Sequence, residues 1–327
     1  METEKTMMMP AGGVKKNENC MLCGTEMQRD ETGALKCPAC GYVKKEEVKV
    51  GPGTILAGKY RVLNPLGSGG CGDIFLCHPL DDVSVRYALK IQKDNSAADS
   101  QRFEREAMLL KQLNANHVIV DLIDYWTEGK TAYMILEYIT GQNLKKARQT
   151  YNFDELMTLQ IAHEICYALA YAWNTLHMIH RDIKPANIML DKDGYIRLLD
   201  FGMSKSLDED SDAMLTMQRT GLGTPGYMSP EQYLEAKDVD FRSDLFSVGA
   251  TMYYTLTGEK PFKSETFVDA YQETVNNTPP PKSELTPYCS EECADLITHL
   301  MEKNPLERPN SYEEVLERIQ ALMKRLE

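Results

Sequence analysis

The residues best suited to chemistry in this 327-residue chain lie in one short stretch and one tripeptide. The stretch reads His-Arg-Asp-Ile-Lys-Pro-Ala-Asn and contains Asp182, Lys184 and Asn187, and the tripeptide Asp-Phe-Gly begins at Asp200. Carboxylate and amide oxygens are ligands for Mg²⁺, and a carboxylate within reach of a hydroxyl accepts its proton. The spacing therefore suits a site that holds metal-bound phosphates beside a hydroxyl acceptor.

A glycine-rich segment from Gly67 to Gly72 reads Gly-Ser-Gly-Gly-Cys-Gly and lies between the first two predicted strands. Glycine lets the backbone come close to phosphate oxygens and offers its amide hydrogens. The spacing of Gly67, Gly69 and Gly72 alone would also suit a dinucleotide fold, but a strand follows where that fold has a helix. We therefore predict a phosphate-binding loop of another kind. Cys71 is interpreted as a tolerated small residue, with redox sensing as the alternative.

These motifs resemble those of protein kinases in their order along the chain and in the number of residues between them. From about residue 55 to 325 the pattern is similar to that of compact bacterial kinases of the eukaryotic type. Lys184 followed by Pro185 resembles serine/threonine kinases more than tyrosine kinases, and so does the segment 223–231. The resemblance implies an α+β, bilobal protein-kinase fold with a β-rich small lobe and a helical large lobe. It also implies transfer of the γ-phosphoryl group of Mg-ATP to protein serine or threonine hydroxyls, with autophosphorylation.

The resemblance assigns roles in the catalytic loop. Asp182 would accept or orient the substrate hydroxyl proton, and Lys184 would steady the transferring phosphoryl group. Thr224 would pair with both of them near the acceptor hydroxyl. Asn187 and Asp200 would bind Mg²⁺.

The resemblance also implies the ATP site. Lys90 would hold the α- and β-phosphates while paired with a glutamate of the following helix, for which Glu106 is preferred over Glu104. The backbone of Glu137 and Ile139 would bond the adenine edge. The remaining nucleotide contacts would be the loop glycines Gly67, Gly69 and Gly72 and the side chains that sandwich the ring, Leu66, Ile74, Ala88 and Met189. Cys71 departs from the aromatic residue often found at the loop tip.

Three further expectations concern support and regulation. Glu231, in a Ser-Pro-Glu that replaces the more familiar Ala-Pro-Glu, would pair with Arg308, and Asp244 would brace the catalytic loop. Phosphate on the loop 203–223 would pair with Arg181 and order that segment. The candidate acceptors are Thr216 and Thr220, followed by Ser204, Ser206 and Ser211.

Four of the nine cysteines form two Cys-x-x-Cys-Gly units, thirteen residues apart, at Cys20, Cys23, Cys37 and Cys40. Each unit points two thiolates at one ion, so four thiolates predict a closed, structural Zn²⁺ site that resembles a zinc ribbon. A disulfide pair and an iron site are the alternatives. Residues 15–50 carry seven basic and six acidic side chains, which is no nucleic-acid footprint, so the ribbon is predicted to dock a protein partner or to cap the chain passively.

The formal net charge of −13 opposes non-specific binding to nucleic acid or anionic membrane. No apolar run reaches the ~20 residues that span a bilayer, and the N-terminus has no signal-peptide core. We therefore expect no membrane and no nucleic-acid partner, and a cytoplasmic protein.

The elements that must position these groups follow from periodicity. Alternation predicts strands at 60–63, 73–77, 87–91, 118–126 and 132–136, and helical spacing predicts helices at 101–113, before 180, at 245–256 and at 313–326. The expected organisation is a disordered N-terminus (1–16), a zinc ribbon (17–44), a linker (45–54) and a kinase domain (55–327) whose lobes meet after residue 140.

Two other functions remain open. A pseudokinase scaffold would bind nucleotide or partners without transfer, but Lys90, Asp182, Asn187 and Asp200 are all present. The second is a protein that acts on nucleic acid and whose main functional element is the ribbon. The near-neutral charge of that segment disfavours it.

Overall fold

The computed structural model describes residues 19, 23–29, 35–41, 43–44, 50–69, 72–92, 97–201, 205–206, 224–234, 239–263, 267–276 and 279–327. The chain divides into two compact units, Met1–Gly51 and Pro52–Glu327. The expected N-terminal tail (1–16) and the first part of the expected linker (45–49) lie outside the described residues.

The N-terminal unit contains a small antiparallel sheet. Its strands follow one another in chain order, β1 (Gln28–Arg29), β2 (Leu35–Lys36) and β3 (Val43–Lys44). Met27 and Cys37 are its buried hydrophobic residues in the described part of the chain. Two-residue strands bury little apolar surface, so a unit of this size needs an additional staple to be stable.

The second unit begins with a six-stranded antiparallel sheet in the order β4-β5-β6-β7-β9-β8. Its strands are β4 (Ile55–Leu56), β5 (Tyr60–Gly69), β6 (Gly72–Pro79), β7 (Tyr87–Ile91), β8 (Leu122–Glu128) and β9 (Thr131–Glu137). The glycine-rich segment includes the end of β5, with Gly67 and Gly69, and the start of β6 at Gly72. At Gly72 a Cβ atom would lie 2.3 Å from the carbonyl oxygen of Ile91, so no larger residue fits there.

Helix α1 (Ala97–Leu113) packs against this sheet. Phe103, Glu106, Ala107, Leu110 and Leu113 are all buried. Their spacing of three and four residues places them on one face of the helix, because α-helical residues so spaced lie one above the other. Glu106 is therefore a carboxylate on the apolar face, directed toward the sheet.

The strand predicted from residue 118 begins later, at Leu122. Val118 and Val120 are buried, but they lie in a loop instead of the sheet. The Leu198 amide donates to the Val118 carbonyl (2.6 Å), and the Val120 amide donates to the Leu198 carbonyl (3.1 Å). The apolar run that suggested a strand thus pairs with a strand of the helical lobe.

The rest of the second unit is mainly helical. Its helices are α2 (Leu144–Thr150), α3 (Glu155–Leu176), α4 (Pro230–Leu234), α5 (Arg242–Thr257), α6 (Phe267–Asn276), α7 (Glu291–Leu300) and α8 (Tyr312–Leu326). Helix α5 is the centre of the lobe, since it is buried without interruption from Ser243 to Tyr253. Gly249 lets α7 approach it, because a Cβ there would lie 2.9 Å from the Leu300 Cβ.

Short strands frame the loop that carries the candidate catalytic residues. They are β10 (Gly141–Asn143), β11 (Met178–Ile179), β12 (Ile188–Asp191), β13 (Ile196–Leu198) and β14 (Lys205–Ser206). Helix α3 ends at His177 in the left-handed conformation (φ 48°), which turns the chain into β11. A 3-10 turn, Pro185–Asn187, then leads into β12. No helix in the described ranges is long and apolar enough to cross a membrane.

Candidate active site

A buried ion pair joins the small-lobe sheet to α1. The Lys90 ammonium lies 2.6 and 2.8 Å from the two carboxylate oxygens of Glu106 and 3.2 Å from Asp200 Oδ1. Lys90 and Glu106 are both buried, whereas Glu104 is exposed on another side of the helix. Of the two glutamates considered from the sequence, Glu106 is therefore the partner of Lys90.

Burial and charge act on these carboxylates in opposite directions. Burial raises the pKa of Glu106, and the nearby Lys90 ammonium only partly opposes this rise. At Asp200 burial, the largest single effect, also favours the neutral acid, but Lys90, His180 and Lys184 together hold the pKa below its usual range. Asp200 is therefore an ionised carboxylate beside the lysine, as a metal ligand requires. Its backbone is in the left-handed conformation (φ 64°).

The catalytic loop brings Asp182, Lys184, Asn187 and Thr224 together. The Lys184 ammonium donates to Asp182 Oδ1 and Oδ2 at 2.9 and 2.7 Å and to Thr224 Oγ1 at 2.7 Å. The Asn187 amide nitrogen donates to the Asp182 carbonyl and to Asp182 Oδ2, both at 2.9 Å. Burial raises the pKa of Asp182, against the opposing charge of Lys184. A carboxylate with a raised pKa, fixed by two donors, has the properties of a general base.

Asp244, on α5, holds this loop from below. Its Oδ2 and Oδ1 accept the backbone amides of His180 and Arg181, each at 2.8 Å. Arg181 has a positive φ of 66°, which a non-glycine residue adopts only where its surroundings impose it. The Gln232 amide nitrogen fixes the same residue by donating to the Arg181 carbonyl at 3.0 Å.

His180 links the catalytic loop to the Asp-Phe-Gly motif. Its Nε2 lies 3.1 Å from the Leu199 carbonyl, and its Nδ1 lies 3.3 Å from the Asp182 amide. A carbonyl can only accept and an amide N–H can only donate, so the ring is neutral with its proton on Nε2. Burial lowers the pKa of His180 to about 4, which agrees with a neutral ring. Its ring also contacts Phe201, at 4.6 Å between centroids.

The strand registers place the expected adenine-site residues along neighbouring strands. Ile74 lies opposite Lys90 and Gly67, and Ala88 lies opposite Leu136, the residue before Glu137. Leu66 is half exposed on β5, and Met189 lies on β12. Ile139 follows β9, where the chain leaves the small lobe. Gly67, Gly69 and Gly72 are described, but Cys71 lies outside the described residues.

Glu231 and Arg308 form a second buried ion pair in the helical lobe. Arg308 Nη1 and Nη2 donate to the two carboxylate oxygens of Glu231 at 2.7 and 2.9 Å. The remaining guanidinium donors bind backbone carbonyls, those of Glu302, Arg242 and Lys303. This geometry suits the supporting role expected from the sequence.

Three thiols of the expected zinc site lie together in the N-terminal unit. The sulfur atoms of Cys23, Cys37 and Cys40 all lie within 4.8 Å of one another. Hydrogen bonds from the Thr25 side chain and backbone, followed by one from Cys37, lower the pKa of the Cys23 thiol to about 6. The fourth expected ligand, Cys20, lies outside the described residues, as do the candidate phosphate acceptors Ser204, Ser211, Thr216 and Thr220. Ser206 is described only as part of β14.

Several contacts in the site were not predicted from the sequence. They include the bond between Lys90 and Asp200, the orientation of His180 by Leu199 and the anchoring of Arg181 by Gln232. Arg197 also pairs with Glu137 across 3.4 Å, behind the segment that joins the lobes. No local spacing indicates such contacts, because their partners lie far apart in the chain.

A β-rich lobe and a helical lobe, with a paired lysine and a carboxylate–lysine–amide loop, define the bilobal protein-kinase fold. The family model described as "Protein kinase domain" matches residues 60–319. The chain therefore belongs to the protein kinase domain family.

Curated relatives are bacterial serine/threonine kinases. The chain is 31% identical to "Serine/threonine-protein kinase pkn2" of Myxococcus xanthus over 275 residues, which are 82% of this chain and 33% of that protein. It is 34% identical to "Serine/threonine-protein kinase pkn3" of the same organism over 285 residues, 83% of this chain and 51% of that protein. "Serine/threonine-protein kinase A" of Synechocystis sp. is 29% identical over 284 residues, 82% of this chain and 54% of that protein. The chain thus spans about a third to a half of the length of these relatives.

Proposed function

We propose that this chain is an active serine/threonine protein kinase that transfers the γ-phosphoryl group of Mg-ATP to protein hydroxyls, its own included. The observation that carries the proposal is the single hydrogen-bonded group of Asp182, Lys184, Asn187 and Thr224. Family membership and the printed names of the relatives support the same activity.

The chain's own groups suit each part of the transfer. Asp182 accepts the proton of the substrate hydroxyl, and Lys184 neutralises negative charge on the phosphoryl group during its transfer. Asp200 and Asn187 fit Mg²⁺, because one is an ionised carboxylate and the other a neutral amide, and both supply the oxygen ligands that Mg²⁺ prefers. Bound Mg²⁺ would offset the negative charge of the phosphate oxygens. Lys90, held by Glu106, is the group for the α- and β-phosphates.

The nucleotide base is proposed to bind between the lobes. The backbone of Glu137 and Ile139 would bond its edge, and Leu66, Ile74, Ala88 and Met189 would cover its faces. The glycines Gly67, Gly69 and Gly72 would close over the phosphates. The cross-strand registers of Ile74 with Lys90 and of Ala88 with Leu136 support this arrangement, since they place apolar side chains next to the phosphate lysine.

The activity is tested by substituting the proposed base. With Mg-ATP, the purified chain should phosphorylate itself or a generic basic protein on serine or threonine. Asp182→Asn should lower kcat by about 10²–10⁴-fold, the range of general acid–base catalysis. Asp193→Asn is the matched control, because Asp193 is a 61% exposed carboxylate on the turn between β12 and β13. Equal transfer by the wild type and Asp182→Asn would refute the proposed site, and binding of ATP without transfer would favour the pseudokinase scaffold.

We also propose that the N-terminal unit is a zinc ribbon held by Cys20, Cys23, Cys37 and Cys40. The clustered sulfurs and the lowered pKa of Cys23 support the proposal, since thiolates are the species that bind Zn²⁺. The unit is set off from the kinase domain near Gly51, and it would dock a protein partner or cap the domain. Elemental analysis should give one zinc per chain, and Cys37→Ser/Cys40→Ser should abolish it. A chain without zinc, or with iron, would refute this assignment.

Cytoplasmic location and phosphorylation of Thr216 or Thr220 stay predictions.

A further inference from the structure

Tyr312 joins the C-terminal helix to the centre of the helical lobe. It is the first residue of α8, and its side chain is 1% exposed. Its ring packs against Phe241, at 5.4 Å between centroids, and Phe241 in turn packs against Trp173 of α3 at 5.2 Å. An aromatic ring alone would fill this space, so packing does not explain the hydroxyl.

The Tyr312 hydroxyl faces two oxygen atoms that can accept a hydrogen bond. It lies 3.4 Å from Asp244 Oδ2 and 3.4 Å from the Phe241 carbonyl. A buried hydroxyl without a partner loses the hydrogen bonds that it makes with water, so we expect it to donate to one of these oxygens. Burial raises the pKa of Tyr312 well above its usual value, which keeps the proton in place for donation.

Asp244 is the carboxylate that orients the catalytic loop. Both of its oxygens accept backbone amides, those of His180 and Arg181, immediately before Asp182. We propose that Tyr312 is a positioning residue, whose hydroxyl stabilises the ionised form of Asp244 and thereby fixes the loop that carries Asp182. The inference rests on the proposed kinase activity.

The charges around Asp244 make its ionisation sensitive to this bond. Burial raises the pKa of Asp244 to about 6, and the His180 and Arg181 amides, the Arg181 charge and the Tyr312 hydroxyl oppose the rise. Cys166, on α3, faces the same carboxylate, but burial raises the pKa of that thiol to about 12 and keeps it neutral. Asp240 lies near the tyrosine hydroxyl. When protonated, Asp244 cannot accept two amides equally well, so the loop loosens as the pH falls through about 6.

Tyr312→Phe removes the hydroxyl and keeps the ring. Loss of one donor to the carboxylate should raise the pKa of Asp244 further, by about half a unit. The acid limb of the kcat–pH profile should move upward by the same amount. At pH 6 kcat should fall about twofold relative to the wild type, and at pH 8 the two should coincide. KM for ATP should stay unchanged, since Tyr312 lies away from Lys90 and the hinge.

Tyr253→Phe is the matched control. It also removes a tyrosine hydroxyl in the core around α5, but that hydroxyl donates to Glu284 at 2.7 Å, away from the catalytic loop. Its kcat–pH profile should match that of the wild type. A general loss of stability would affect both variants, whereas a shift confined to Tyr312→Phe reports on Asp244.

A second readout separates this inference from the kinase proposal. At pH 6.5 the His180 and Arg181 amides should exchange with deuterium about threefold faster in Tyr312→Phe than in Tyr253→Phe, whether or not the chain transfers phosphate. An inactive wild type with this exchange difference would refute the activity and keep the positioning role. Equal exchange in the two variants, or a kcat–pH profile unaffected by Tyr312→Phe in an active enzyme, would overturn the positioning role.

Discussion

Two glutamates of α1, only two residues apart, occupy opposite environments. Glu106 is buried and bound to Lys90, whereas Glu104 is exposed. An α-helix turns by about 100° per residue, so a step of two residues carries a side chain to the other side. This difference decides which of the two carboxylates can hold Lys90 in place.

Glu106→Gln should therefore impair catalysis while Glu104→Gln should not. The amide keeps the shape of the carboxylate but not its charge. Among the described residues, Asp200 then remains as a carboxylate partner of Lys90. We expect kcat/KM for ATP to fall about 10–100-fold, as expected for a misplaced substrate-binding group. The Tm should fall as well, because the buried Lys90 ammonium loses one of its carboxylate partners. Steady-state kinetics and thermal unfolding of both variants would measure this, and equal kinetics for the two would contradict it.

The sequence predicts this site well where its residues share one loop, and poorly where contacts join distant segments. Asp182, Lys184 and Asn187 lie within six positions, so their spacing alone brings them together. Tyr312 and Asp244 are 68 residues apart, and they come into contact because α8 and α5 both pack against α3. The resemblance to kinases gave the pairing of Glu231 with Arg308, which no local pattern indicates.

At the level of elements, the helices predicted at 101–113, 245–256 and 313–326 begin within about four residues of α1, α5 and α8, whereas β5 runs to Gly69, beyond the predicted 60–63. Residues 118–120 show the limit of periodicity: three consecutive buried apolar residues read as a strand, but they pair with β13 in the other lobe. Periodicity in the sequence indicates which side chains are covered, but it carries no information about which element covers them.

The buried pair of Glu231 and Arg308 connects α4, the start of α5 and the segment before α8. Arg308→Lys keeps the charge but loses the planar fork that makes two bonds to Glu231 and three to backbone carbonyls. We expect the free energy of unfolding to fall by about 3 kcal/mol, near the cost of breaking a buried ion pair.

Arg325→Lys is the control, because Arg325 is 66% exposed and makes one 3.3 Å contact with Glu292. Its effect should stay below about 0.5 kcal/mol, as for other surface pairs. Urea unfolding of both variants, compared at equal m-values, measures the difference. Similar losses of unfolding free energy in the two variants would mean that the planar guanidinium of Arg308 contributes little to stability.

For the whole molecule, the division near Gly51 predicts that metal and kinase activity are separable. A chelator should remove zinc and unfold the N-terminal unit, because a sheet of two-residue strands cannot fold without a staple. Transfer to a generic basic protein should change less than about twofold, since the proposed transfer residues all lie in the second unit. Zinc release with a colorimetric dye and parallel transfer assays measure both.

Cys289→Ser provides a control for the loss of a thiol, because Cys289 lies beside α7, outside the cluster of Cys23, Cys37 and Cys40. It should keep the zinc, whereas Cys40→Ser should lose it. Loss of basal transfer together with zinc would contradict the separation and would make the N-terminal unit part of the catalytic fold.

The backbone bonds between Val118, Val120 and Leu198 also determine how α1 can move. They tie the segment just after Leu113 to the helical lobe, so the helix has a pivot at its C-terminal end. At a rise of about 1.5 Å per residue, Glu106 lies roughly 10 Å from that pivot, and a tilt of about 10° displaces it by roughly 2 Å. A displacement of that size is comparable to the 2.6 Å separation between Lys90 and Glu106. A small rotation of one helix, with no change in the sheet, is therefore enough to separate Glu106 from Lys90.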